Sequence, residues 1–357
     1  MSLLVICGSM LTFDVAMPLT LFLVTLAALV LSKRVEGKLE TALEAREFRA
    51  RDVVLLVASI VVAVSIVAFV PSMALIALFM FSYSSLLFTF SYLFSAVSRK
   101  KSLFFISTFI VASLIVGLVA LLDIFNRDFV FYWGLAACGL AVFAFAALLL
   151  ELKTTRLGGR WYLAVLPPAL FIVVFFVFSP TPVWVPFLFD TFGIIFAVLI
   201  TLYLSSLFTW KTTFVFAALL TVMDFILVLV IPIMESTATQ VVSLGLPALV
   251  VVPIIPPVFT TSPFLWGLAA TWLGLGDFFF AGTLASQTYK RFDKKTAIVS
   301  AVTMSIAFGF FELVLLNTNF RALPGTLMII LGWAPVVVWK MVSKRKTRRD
   351  GTGGLIN

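Results

Sequence analysis

Eleven separate apolar runs, each long enough to cross a bilayer, leave this sequence few ways to fold. They extend from Met10 to Ser32, Val53 to Pro71, Met73 to Val97, Leu103 to Asp123, Phe129 to Leu150, Trp161 to Phe178, Val183 to Phe208, Thr212 to Met234, Phe264 to Ser286, Ala297 to Leu316 and Ala322 to Met341. A hydrocarbon core about 30 Å thick takes about 20 helical residues. A backbone facing lipid must satisfy its own hydrogen bonds, so each run is read as a helix. Composition agrees: 62% of residues are hydrophobic and 11% charged, against about 25% charged in soluble domains. The expected fold is all-α, a polytopic transmembrane bundle of about eleven spans. The first run has no basic start and too long an apolar stretch for a signal peptide, and is kept as a span.

Charge orients the bundle. Basic residues crowd loops 33–52, 98–102, 151–160, 209–212 and 287–296 and the tail from Lys340 to Arg349, whereas the alternate connections hold only Arg127 and Arg321. By the positive-inside rule the C-terminus is cytoplasmic and the N-terminus outside. The net charge of +9 then reflects topology and contact with anionic lipid, and no nucleic-acid partner is expected.

The chain has no histidine. That excludes a zinc protease built on His-Glu-x-x-His and a serine protease that relies on a histidine base. Cys7 and Cys138 lie in apolar runs without metal-ligand spacing and read as small core residues. No metal or organic cofactor is expected, so any hydrolytic chemistry must come from carboxylates.

Two carboxylates stand out. Asp224 falls mid-way through the run Thr212 to Met234, and Asp277 follows Gly274-Leu275-Gly276 inside the run Phe264 to Ser286. An acid at the centre of a membrane helix costs at least about 2.5 kcal/mol, so such residues usually face a watery cavity or a partner and carry function. Two acids within a few Å cannot both ionise; they share one proton, and one can act as base on a water while the other donates to a carbonyl oxygen. Gly274 and Gly276 lack Cβ atoms, which lets a substrate chain or a facing helix come close to Asp277. Between the two runs, Leu246 to Pro253 is Pro-bounded, Val-rich and too short to span. It reads as a short extended segment whose exposed edge, around Leu249, Val250 and Val251, can pair with an unwound substrate.

Four stretches together resemble the presenilin and signal peptide peptidase family of intramembrane aspartyl proteases. They are Leu220-Thr221-Val222-Met223-Asp224-Phe225, Pro247 to Pro253, Gly274-Leu275-Gly276-Asp277-Phe278-Phe279-Phe280, and Arg321-Ala322-Leu323-Pro324-Gly325-Thr326. The resemblance covers roughly the last 150 residues. It implies a presenilin-like catalytic core with Asp224 and Asp277 as catalytic residues and with Pro324, Gly325 and Thr326 beside the substrate. Three departures mark the chain: Met223 replaces the usual tyrosine, Pro324-Gly325-Thr326 replaces Pro-Ala-Leu, and seven runs rather than five precede the Asp224 run. The implied division is residues 1–72 as two extra N-terminal helices, 73–208 as the N-terminal helices of the core, 209–342 as the catalytic helices, and 343–357 as a basic cytoplasmic tail. The orientation is similar to that of signal peptide peptidases, so the implied substrates are type II membrane segments or signal-peptide remnants, held in the lipid bilayer.

Two alternatives remain open from the residues. Buried acids and Pro/Gly-broken segments also suit a proton- or cation-coupled secondary transporter, although no inverted repeat is evident. Prepilin peptidases also carry Gly-x-Gly-Asp, but their acids resemble a cytoplasmic arrangement. Asp190 and Glu312 have no assigned role, and Asp14 and Asp123 are expected to be solvated near the membrane boundaries.

Overall fold

The computed structural model describes residues 12–42, 47–67, 70–122, 128–153, 160–231, 233–259, 268–318 and 324–352. The elements run α1 (Ala16–Ala42), α2 (Ala50–Val67), α3 (Ser72–Leu93), α4 (Arg99–Leu121), α5 (Asp128–Lys153), α6 (Trp161–Phe178), α7 (Phe189–Ser205), α8 (Trp210–Phe225), α9 (Ile233–Ser243), β1 (Leu249–Pro253), β2 (Ala270–Gly274), α10 (Leu275–Arg291), α11 (Lys294–Asn317) and α12 (Gly325–Thr352). Among the described residues eight helical stretches are long and apolar enough to cross a membrane. This is the build of a multi-pass membrane protein and a helical bundle, with eight such stretches where the apolar runs suggest eleven.

Three runs depart from a single straight α-helix, two of them within stretches that count among the eight. The run Val183 to Phe208 is not one straight helix: Val185 is extended (φ −102°, ψ 129°) within the wider turn Trp184–Leu188, as expected for a residue that precedes proline. The Thr212 to Met234 run ends its α-helix at Phe225, widens into a π-helical turn over Ile226–Val230, and stops. The Ser/Thr-rich stretch that follows, expected as a loop, forms α9. The Phe264 to Ser286 run is not a single helix either. Its described part starts as strand β2, and only from Leu275 does it turn helical; hydropathy cannot separate a short apolar strand from a helix.

The two strands form an antiparallel pair in which Leu249 faces Gly274, Val250 faces Leu273, Val251 faces Trp272, Val252 faces Thr271 and Pro253 faces Ala270. Non-helical backbone at membrane depth is tolerated only inside protein. Here helices enclose it, α7 and α1 packing against the hairpin.

Two large cores flank this hairpin. One gathers α1, α2, α7, α8, α10, α11 and α12; the other gathers α3, α5, α6 and the start of α7. Tyr83 of α3 ties the second core to α7, stacking within 4.3 Å of Phe171 and 4.7 Å of Phe196 and donating its hydroxyl to the Phe192 carbonyl at 3.0 Å. At the centre of the first core stands α10, ringed by α1, α7, α8, α11 and α12 and buried from Phe278 through Thr288. Its far end is fixed by polar bonds. Gln287 Nε2 donates to the carbonyls of Ser205 at 3.0 Å and Phe208 at 2.8 Å, and Trp333 Nε1 donates to Thr288 Oγ1 at 2.8 Å.

Close packing of α11 on α12 depends on Gly332, where a Cβ would collide with the backbone of Thr303 and Met304. Gly332→Ala is expected to cost about 1–3 kcal/mol, read as a lower unfolding midpoint in a denaturing-detergent titration. Asp293 caps α11: it accepts the Thr296 N–H at 2.7 Å and hydroxyl at 2.9 Å and pairs with Lys340 of α12 at 3.1 Å. The Thr296 hydrogen bonds first, and the Lys340 ammonium after them, bring its carboxyl down from 3.8 to about 2. A depressed folded-state value stabilises above the ordinary carboxylate range and stops doing so as pH falls through the folded value. The stability gap between the parent chain and Asp293→Asn should therefore be full at pH 7 and close between pH 3.8 and about 2, which thermal unfolding across that range would show.

Candidate active site

Three helix ends meet at the two aspartates. Helix α8 starts with a reciprocal cap, in which Thr209 and Thr212 each bond the other's backbone N–H, and carries Asp224 in its last turn. Strand β2 runs without a loop into α10, placing Asp277 in that helix's first turn. Pro324 is buried directly before α12, whose first two residues are Gly325 and Thr326. Proline suits a helix start because its missing N–H has no intrahelical partner there.

The α12 start holds both acids. Asp224 Oδ2 accepts the Thr326 N–H at 3.1 Å and the Thr326 hydroxyl at 2.7 Å. A carboxylate is well placed there: the first N–H groups of a helix lack partners, and its N-terminus favours negative charge. Asp277 packs on the next residue, such that a Cβ built on Gly325 would stand 2.7 Å from Oδ1, 2.9 Å from Cγ and 3.1 Å from Oδ2. Only glycine lets the carboxyl come this close. Both acids thus meet adjacent residues of one turn. Asp224 and Asp277 are each partly exposed, whereas Phe278, Phe279 and Phe280, which follow Asp277, are buried.

The Gly-Leu-Gly stretch divides its work. A Cβ on Gly274 would lie 3.6 Å from Asp277 Oδ2, and one on Gly276 would meet nothing within 4 Å. Gly276 therefore faces open space, while Gly274 lies in ordinary contact with the acid. Leu275 is buried, and its N–H donates to the Ala248 carbonyl at 3.2 Å.

Strand β1 is less accessible than its sequence suggests. Val250 and Val251 are fully buried, one side of the strand pairs with β2, and on the other side Val251 donates its N–H to Asp190 Oδ1 of α7 at 2.8 Å. Gly193 of α7 also approaches it, since a Cβ there would be 2.8 Å from the Leu249 carbonyl oxygen. The exposed edge expected at Leu249, Val250 and Val251 is thus covered by α7, and the strand that leads to the acids is β2. Leu249 still stands opposite Gly274, next to Asp277.

The other acids are engaged as well. Asp190 holds β1, as above. Asp14, expected to be solvated, is buried at 6% exposure and caps α1 by accepting the N–H groups of Ala16 at 2.9 Å and Met17 at 3.3 Å. The spacing of an Asp just ahead of an apolar helix is an N-cap signature and was readable as one. Asp123 lies outside the described residues. Among the described residues no group of three or more Cys, Asp or Glu side chains is placed to hold a metal ion.

Comparison of the chain with family models, with curated proteins and with solved structures finds no match. The site therefore has to be read from its own geometry.

That geometry makes a prediction independent of any activity. Gly325→Ala drives a methyl group into the Asp277 carboxyl and should cost about 1–3 kcal/mol; in an Asp277→Ala background the same change should cost markedly less. Unfolding midpoints of the four proteins form the double-mutant cycle that measures this coupling.

Proposed function

We propose that this chain is an intramembrane aspartyl protease, similar in kind to the presenilins and signal peptide peptidases, that hydrolyses peptide bonds within transmembrane segments or signal-peptide remnants. The observation that carries this reading is the seating of Asp224 and Asp277 on one Gly325-Thr326 turn.

The chemistry follows from carboxyl groups sharing one proton. Asp224, fixed by the two Thr326 hydrogen bonds, takes a proton from a water whose oxygen attacks the peptide carbonyl carbon. Asp277 gives the shared proton to the carbonyl oxygen, so a neutral gem-diol forms and no naked oxyanion is left in a low-dielectric site. Collapse of the diol breaks the C–N bond: the amine nitrogen leaves with the proton taken up by Asp224, and a diol hydroxyl returns its proton to Asp277. The pair ends as it began, with one carboxylic acid and one new amine.

A helical substrate hides its peptide bonds behind its own hydrogen bonds, so it must unwind locally to react. Gly276 faces open space beside Asp277 that an unwound chain can use, and β2 leads to it. With the C-terminus cytoplasmic, the substrates are type II membrane segments, and the tail binds anionic lipid. The transporter reading would need acids poised to exchange a cation. In this bundle Asp14 and Asp190 instead hold backbone N–H groups of the hairpin and of α1, which favours a scaffold for strand chemistry.

The test is incubation of the purified chain with a model transmembrane peptide. Cleavage is expected for the parent, and a loss of at least about a thousandfold for Asp224→Ala and for Asp277→Ala, both still folded by detergent-titration midpoint. Undiminished turnover in either variant would falsify the dyad.

A further inference from the structure

Outside the dyad, the polar groups of the first core converge on the hairpin from the α1 side. Asp14 Oδ1 accepts the Ile255 N–H at 2.9 Å, and its Oδ2 accepts the Thr271 hydroxyl at 3.0 Å. The neighbouring Val15 N–H donates to the Ile255 carbonyl at 3.1 Å. Both backbone groups of Ile255 are thereby tied to the start of α1, and Asp14 grips β2 itself through Thr271. Glu312 of α11 is 5% exposed, and its Oε2 has no hydrogen-bond partner.

The position of this cluster gives it a job. Thr271 stands six residues before Asp277 on a strand that becomes α10 without a loop. A slip of one residue along β2 would move the chain about 3.3 Å and reverse which side chains face each way, carrying Asp277 off the Gly325-Thr326 turn. A ladder of five residue pairs is short for holding register alone. Helix α1 packs on α7, α10, α11 and both strands, so the segment that carries Asp14 is itself built into the core.

We propose that Asp14 is a positioning residue for the aspartyl chemistry. Through Thr271 and Ile255 it fixes the register of β2, and with it both the seat of Asp277 and the line along which a substrate chain meets it. This inference rests on the protease reading, and it gives the N-terminal helix a part in the site.

The experiment compares the full-length parent with Thr271→Val, Thr271→Ser and Asp14→Asn on a model transmembrane peptide, with kcat, KM and the cleaved bond read by mass spectrometry. Thr271→Val removes one hydroxyl at nearly constant shape, so it keeps the test open even where Asp14→Asn fails to fold. Thr271→Val and Asp14→Asn should lower kcat roughly tenfold, the effect of one unsatisfied buried acceptor, with KM little changed and cleavage spread to neighbouring bonds. Thr271→Ser should restore both the rate and the single cleavage position. A parent that cleaves, with Thr271→Val equal to it in kcat and in cleaved bond, sinks this inference alone. A parent that cleaves nothing sinks the protease reading and this inference with it.

Discussion

One turn of backbone, Gly325-Thr326, holds the two central acids in a common frame. Thr326 offers Asp224 an N–H and a hydroxyl, while the bare Cα of Gly325 lets Asp277 settle against the chain. The first bond answers a general problem, because the N-terminus of a helix always leaves N–H groups in need of a partner. In lipid that need cannot be met by water, so an acid from α8 meets it across the bundle. The cost of burying a carboxyl and the cost of leaving a helix end open thus offset each other. Removing either partner exposes the other, which is why the ends of three helices stay together.

Much of this was legible in the sequence and some was not. Asp224 and Asp277 stood out, because an acid in an apolar run is rare and its cost demands a reason; Gly325 and Thr326 were expected beside a substrate, and the structure shows them against the two acids. The strand at Leu249 to Pro253 was also anticipated, from valines bounded by prolines. What escaped was the second strand. Ala270 to Gly274 sits inside an apolar run, and five residues of such a run carry the same signal as about one and a half helical turns. The covered state of β1 escaped for a different reason: it depends on Asp190 and Gly193 of α7, more than fifty residues away, and no local pattern records that contact.

The acids away from the centre show the same division. Asp190 was visible as an anomaly yet without a role, and Asp14 was expected to be solvated, because their partners belong to a distant hairpin. A hairpin inside a helical membrane protein has edges that water cannot satisfy. Side-chain oxygens from α7 and from the segment before α1 serve in its place. Burying such acids is expensive, and these two accept hydrogen bonds from groups that would otherwise have none.

The alternation of side chains along β1 has a mechanical corollary. Val250 belongs to the core built around α10, whereas Val251, its neighbour, belongs to the core built around α3 and α6. Those five residues act as a rivet driven through two plates. If the plates tilt against each other, the rivet must twist, and its paired strand transmits that torque straight to the first turn of α10.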